Sequence, residues 1–474
     1  MTTTAPHQLP HLAPILNRWQ SSLLDPATVP SGRPPAAPTV YRTADLIVHP
    51  TDPATDQRVR AALTRVLAQR AWSGEQVAAG VRLHPGSSTV EPVDAWSIVA
   101  ELRADDDRDV AAGVGLDHLL TTAEQPGGNP FALGRGRVGL DDYGVPGYGG
   151  RGPVNFVTPA PPAPDPGRRP RVVVLDTGIG EHPWFQEHPA QTIIALADGR
   201  TVGPQIDPAS IRGIDADASG AIADVMLGAL ATHSGHGTFI AGLIRQSCPE
   251  ANIVALAVMG SDGIVAESTL TDALNVIADR QREEPEWADA VVLSLGYYAE
   301  TAQDVSYNTA LKQILLELGR LGIAVFCAAG NDASSRPSYP AAFAVDPGFA
   351  DQAVVPLVSV AALNPDGSVA LFSNDGDWVT AEAAGVNLVS TAPIGMNGSA
   401  QPEIRMSGPG GRSRGAPDPD DFDSGFAAWS GTSFAAPVLA GTYLRALIEA
   451  GFPPITQRRA LLPVGRNRTN RLGR

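Results

Sequence analysis

The chain has 474 residues, 34 of them basic and 50 acidic, for a formal charge of −16. That length admits one large core plus a second, smaller unit, and the acidic balance argues against general nucleic-acid binding. No run approaches the roughly 20 apolar residues of a membrane span. The first residues, MTTTAPHQLPHLAPILNRWQ, lack both the basic start and the apolar run of a secretory signal. Neither a membrane nor a nucleic-acid partner is expected. Two cysteines, Cys248 and Cys327, are too few for a disulfide framework, so free thiols and a cytoplasmic location are expected.

Residues 1–38, rich in proline and polar side chains, read as a flexible N-terminal arm. Residues 39–125 read as a small α+β domain. Its predicted elements are a strand at 44–49, an amphipathic helix at 52–70 with Val59, Leu63, Val66 and Leu67 on one face, strands at 80–83 and 96–102, and a weaker helix at 109–120. Glycine and proline dominate 126–168, a linker. From 169 to 452 the character changes. Segments 172–175, 253–258, 291–295 and 323–329 are apolar runs without alternation, separated by stretches of helical period. Such runs suit strands buried on both faces, hence an α/β fold with a doubly wound, mostly parallel sheet flanked by helices. Residues 453–474 form a tail with six arginines and no acid.

Ligands of such sheets bind beyond the carboxyl ends of the strands. Asp176, Thr177 and Gly178 follow the first run, Met259 to Gly263 the second, Gly296 the third, and Gly330 and Asn331 the fourth. Two helix starts can face the same rim. One is His236, ahead of Phe239, Ile240, Leu243 and Ile244; the other is Ser433, ahead of Val438, Leu439, Thr442, Leu447 and Ile448. A helix N-terminus favours developing negative charge. Asp176, His236 and Ser433 can then serve as orienting acid, general base and nucleophile, with Asn331 offering its amide to an oxyanion.

The segments VVVLDTGIG, HSGHGTFIAG, LSLG, CAAGN and SGTSFAAP together resemble the successive signatures of the subtilisin-like serine proteases (subtilases, peptidase S8), in that family's order of Asp, His and Ser. The resemblance covers roughly 169–452 and implies a serine endopeptidase working through an acyl-enzyme intermediate. It implies that Gly260, Ser261, Asp262 and Gly263 form one edge, and Ser294, Leu295 and Gly296 another, between which an extended peptide is clamped by strand addition. Ser294, Leu295, Gly296, Ala328, Ala329, Gly330 and Asn331 would wall the P1 pocket. Phe239 and Phe434 depart from common forms of the pattern. No cofactor is needed for this chemistry, and a structural calcium stays open because no loop carries a decisive ligand pattern.

Other readings bear on the same residues. Each motif alone can be a turn or a helix cap. A catalytically silent peptide-binding protein of the same fold is the alternative from another class. A sedolisin-type acid protease would use a glutamate as base where His236 stands. The expected partner is a peptide or protein substrate, with few substrates favoured over general degradation. Residues 39–125 resemble the small propeptide that many subtilases carry as folding aid and inhibitor; as such it would leave a mature start between Pro126 and Pro170. The competing reading is a permanent accessory domain. His182, His188 and His233 are assigned to loops without a chemical role. The acidic stretch 418–423 is assigned to a solvated loop, within an insertion at 394–425 that lines or covers the cleft.

Overall fold

The computed structural model describes residues 13–24, 26, 36–49, 52–77, 80–87, 92–104, 107–122, 151–186, 192–195, 222–224, 228–301 and 309–462. Helix α1 (Ala13–Trp19) leads into β1 (Ser21–Leu24), antiparallel to β2 (Thr39–Val48). Helix α2 (Pro53–Gln69) begins where Asp52 accepts from Ala54 N and Thr55 N, with proline in the first turn, and it buries Val59, Leu63, Val66 and Leu67 as expected. A hairpin of β3 (Trp72–Val77) and β4 (Gly80–Pro85) follows. The sequence hides β3 because four of its six residues are exposed.

Two expectations are reversed. Segment 96–102, read as a strand, lies within helix α3 (Ala95–Arg103), where Asp94 accepts from Ser97 N and Trp96, Ile98, Val99 and Leu102 are buried. An apolar run of this length does not distinguish buried strand from buried helix; the Asp94 cap and the surrounding sheet decide. Segment 109–120, read as a helix, divides at Gly113 into the short α4 (Arg108–Ala112) and β5 (Val114–Thr121), all eight residues of which are buried.

The larger unit follows. Its elements are β6 (Gly152–Pro153), β7 (Arg171–Asp176), α5 (Pro183–Gln186), β8 (Thr192–Ala195), a hairpin of β9 (Ile222–Asp224) and β10 (Ala229–Leu230), α6 (His236–Ser247), β11 (Asn252–Ala257), β12 (Ile264–Ala266), α7 (Glu267–Glu283), β13 (Ala290–Leu293), α8 (Thr309–Arg320), β14 (Ala324–Ala328), β15 (Leu357–Leu363), β16 (Ala381–Ala384), β17 (Leu388–Thr391), the hairpin β18 (Arg405–Ser407) and β19 (Ser413–Gly415), β20 (Phe426–Trp429) and α9 (Thr432–Glu449). The main sheet has the order β16-β15-β14-β13-β7-β11-β8, with every neighbouring pair parallel. Alternate strand residues feed two cores. Val172, Val174, Ile253 and Val292 pack with α6 and α9; Val173, Leu175, Val254 and Val291 pack with α7 and α8. Residues 152–153, from the stretch read as linker, form β6 and pair with β20 inside this unit. Both cysteines are free and buried. No described helix is long and apolar enough to cross a membrane.

The two units share one sheet. β12 pairs antiparallel with β5, giving the order β12-β5-β2-β4-β3. On its other side Thr121 N donates to Gly296 O at 3.0 Å and Gly296 N to Thr121 O at 2.9 Å. Helix α7 has no side-chain cap of its own at Ala266; Asp117, from the smaller domain, accepts from Ser268 N and Ser268 Oγ instead. Beside it His118 donates from Nδ1 to Glu267 at 2.7 Å and from Nε2 to Glu300 at 2.8 Å, and Arg103 pairs with Glu300 at 2.8 Å.

Burial alone would lower the His118 pKa, but the charge of Glu300 and the bonds to both glutamates outweigh it and hold the group at about 10. Burial drives Asp117 up to about 6 against the pull of Arg42 and the Ser268 bonds. Both groups are raised relative to the unfolded chain, so the stability each contributes is present below its unfolded value and is lost as pH rises through its folded value. Attachment of the smaller domain is therefore expected to weaken from pH 3.8 to about 6 through Asp117, and from pH 6.5 to about 10 through His118. Limited proteolysis across that range checks it; susceptibility that does not rise with pH would count against the His118 contact as a charged one.

Candidate active site

The chain enters the main sheet at β7, adds β8 and β11 on one side, then crosses to β13 on the other. That reversal opens a crevice at the carboxyl end of β7. Asp176, the last residue of β7, is buried there, and its Oδ1 accepts from Thr177 N at 2.8 Å. His236 opens α6 from the next element over, and its Nδ1 meets Asp176 Oδ1 at 2.7 Å. That bond holds the proton on Nδ1 and leaves Nε2 as the basic nitrogen of the neutral ring. Gly237 makes the approach possible: a Cβ on it would stand 2.2 Å from Gly178 O. Its N–H donates to Thr177 Oγ1, tying the start of α6 to the turn after β7.

Ser433 lies in the first turn of α9, buried at the same rim. Its Oγ donates to Ser294 O at 3.4 Å, and Ser294 Oγ donates back to Ser433 O at 2.8 Å. The two helix starts are brought together by aromatic packing. The Phe434 ring lies 5.3 Å from His236 and 4.5 Å from Phe239, with Trp429 beside all three. The two phenylalanines that depart from the common pattern thus pack against each other, and Phe434 packs against the imidazole as well. Asn331, in the loop after β14, accepts from Thr432 N at 2.9 Å and Thr432 Oγ1 at 2.8 Å through its carbonyl oxygen. That orients the amide, and Nδ2 is buried with no protein partner among the described residues.

The residues expected to clamp a peptide are occupied from within the chain. Gly263 O accepts from Thr122 N at 3.2 Å, and Gly296 is bonded to Thr121, so the end of β5 runs between the two edges. Gly260 and Gly263 close a turn, Ser261 O accepts from His233 N, and Asp262 accepts from Arg18 and Trp19 of α1. Ser294, Leu295, Gly296, Ala328 and Gly330 line, with Thr122 and Ser433, a residual cavity of ≈ 10 Å³. That leaves room for about one water. Ala329 is instead fully buried in the apolar core.

Several residues here escaped the sequence reading. Arg151, assigned to the linker, is completely buried and donates to the carbonyls of Ala231, Thr232 and Ser234, the loop that delivers His236. Its guanidinium lies 5.3 Å from the centre of the Trp429 ring. Asn374 holds the loop after β14, accepting from Asp332 N and Ser334 N and donating to Ala329 O. Neither residue stands in a motif, and their partners are remote in sequence. His182 and His233 lie on loops, as expected, and both are buried there; burial, then the charges of His236 and Arg151, push His233 well below the usual imidazole range. His188 lies outside the described residues. The acidic stretch is only partly solvated: Asp420 is buried and accepts from Ala400 N, and Phe422 joins the core. In the insertion, Ile394 N donates to Glu181 O and Met396 is buried, while both strands of the β18–β19 hairpin are exposed. Among the described residues no three His, Cys, Asp or Glu side chains converge as a metal site.

A family model described as the subtilase family (peptidase S8) matches residues 167–460. Subtilisin BL of Lederbergia lenta is 26% identical over 256 residues, which cover 50% of this chain and 73% of that protein. The minor extracellular protease Epr of Bacillus subtilis is 29% identical over 170 residues, 33% of this chain and 22% of its own. Among solved structures, a cold adapted subtilisin-like serine proteinase aligns over 65% of this chain and 88% of its own at 20% identity, with a TM-score of 0.39.

Replacing Arg151 with methionine leaves three buried carbonyls without their charged donor. The expected cost is roughly 3 kcal/mol, read from the urea midpoint at unchanged m-value. An unchanged midpoint would remove Arg151 from its role in holding the His236 loop.

Proposed function

Since the chain belongs to the subtilase family of serine peptidases, we propose that it is an endopeptidase in which Ser433 attacks the scissile carbonyl and His236 takes its proton. Asp176 orients the imidazole and stabilises the imidazolium. The carbonyl oxygen, now an oxyanion, accepts from Asn331 Nδ2 and the Ser433 backbone N–H. Collapse expels the amine, which receives the proton from His236, and leaves an acyl-enzyme on Ser433. Water activated by His236 then releases the acid and restores the serine. The observation that carries this reading is the 2.7 Å bond between His236 Nδ1 and Asp176 Oδ1 at the rim that holds Ser433. Side chains and backbone suffice for every step, without a cofactor.

The smaller domain acts in this reading as an intramolecular inhibitor. Its support is the course of β5, which enters the cleft as a substrate-like strand and bonds Gly296 and Gly263. A cleft closed by its own chain until that strand leaves fits a processing or regulatory enzyme of few substrates. Cutting that frees the domain would fall after Thr122, which is held in the cleft, and before Arg151, which is buried in the larger unit.

Three measurements bear on this. An active-site phosphonate is expected to label the wild type and spare Ser433→Ala; equal labelling would sink the peptidase reading. Asn331→Ala is expected to lower kcat by about 10²–10³, the magnitude known for an oxyanion-hole asparagine in subtilisin, a member of the same family. An unchanged kcat would take Asn331 out of the oxyanion role. N-terminal sequencing of active protein is expected to show a start between residues 123 and 151, and a fully active chain that keeps residues 39–122 would rule out the inhibitor role.

A further inference from the structure

His118 sits four residues before Thr122 on the strand that fills the cleft, and it is enclosed by the larger unit. Its ring nitrogens contact Glu267 at 2.7 Å and Glu300 at 2.8 Å, and its ring stacks on Tyr297 with centroids 4.4 Å apart and planes inclined by 21°. Glu267 and Glu300 are both 0% exposed. The cations that pair with them directly, His118 and Arg103, both belong to the smaller domain, whereas Glu267, Glu300 and Tyr297 belong to the larger one, whose Arg336 acts on Glu300 by charge without an ion pair. Glu267 Oε1 is buried with no protein partner among the described residues, so the imidazole does not exhaust the acceptors of the slot. Once the smaller domain leaves, two neighbouring carboxylates face the cleft with neither counter-charge. Two such groups repel each other and are costly to keep ionised away from water.

Building on the peptidase reading, we propose that Glu267, Glu300 and Tyr297 form a cation-binding subsite of the cleft, which selects peptides carrying an arginine at the position of His118. A guanidinium matches the slot better than an imidazole does. It is planar, so it can stack on the Tyr297 ring, and its five donors can bridge both carboxylates, including the oxygen that His118 leaves unpaired. The register follows from the strand. Residues two apart share a face, so the arginine precedes by two the residue that takes the place of Leu120. Leu120 is itself 0% exposed, in an apolar cluster with Val265, Leu270 and Leu295. The substrate class is therefore an extended peptide with arginine, any residue, then an aliphatic residue, ending two residues later in the Thr122 position.

The slot can be tested within the chain and on peptides. In full-length protein carrying Ser433→Ala, hydrogen exchange of the β5 amides reads how well the strand is seated. His118→Arg is expected to keep the protection, while His118→Gln speeds exchange by about tenfold through loss of charged hydrogen bonds, and His118→Glu by more. A slot that only fills space would favour the smaller neutral side chain. Protection of His118→Gln equal to the wild type, or exchange of His118→Arg as fast as that of His118→Glu, would overturn the proposal. For the processed wild type, peptides of the 114–122 sequence extended past the cut and carrying arginine, glutamine or glutamate at the His118 position are compared. The expected kcat/KM falls in that order, with arginine favoured over glutamine by about tenfold or more, and Glu267→Gln or Glu300→Gln erases most of the ratio through the arginine peptide alone. Equal rates for arginine and glutamine in the wild type would overturn the subsite even if those variants fail to fold. No cleavage of any peptide would overturn the peptidase reading instead, and the exchange ranking would still decide the slot.

Discussion

Strand β7 is held on both sides by parallel neighbours, β11 and β13, and its alternate residues are divided between two apolar cores. Every candidate group hangs from that constraint. Asp176 can be buried and still make its bond to His236 because β7 ends at the point where the sheet reverses its direction of growth. The other members arrive from elements that pack on the same frame. α6 and α9 lie on one face and bring His236 and Ser433 to the rim by the contact of Phe434 with the imidazole. β14 brings Asn331, whose amide is turned by Thr432. A shift of β7 along its axis would part Asp176 from the other three.

The second constraint is backbone pairing between the units. β12 and Gly296 both present edges with backbone groups to pair, and β5 satisfies them from the middle. That pairing alone would be indifferent to sequence. Side chains supply the discrimination: Leu120 buries in the larger core, Asp117 caps α7, and His118 enters the slot between two carboxylates. The interface therefore depends on charge as much as on apolar area, and each half leaves the other with buried groups that need partners. On the proposed inhibitor reading, the strand that fills the cleft also describes what the cleft accepts.

Support for the site extends well beyond its reacting groups. Arg151 reaches three carbonyls of the loop before His236, and the insertion around Met396 and Phe422 packs beneath the same loop. The stretch expected to line or cover the cleft is thus packed in part against the loop that carries His236. Asn374 holds the loop after β14 in a comparable way, and Gly237 admits α6 to within contact of the β7 turn.

Much of the large unit was legible from residue order alone. Runs such as 172–175 and 253–258 are short, apolar, rich in β-branched residues and without alternation, which suits a strand covered on both faces, and Asp176, His236, Asn331 and Ser433 each stand where such a strand ends or a helix begins. Local chemistry determines those features, so the sequence carried them. It did not carry the smaller domain equally well. The run 96–102 suits a buried strand or a buried helix, and 109–120 has enough helical period to conceal β5; partners distant in the chain made the choice. The same holds for His118, Arg151 and the glutamates that surround His118. Burial of a charge is decided by what stands opposite it, and groups 149 and 182 residues apart meet only after the sheet has formed.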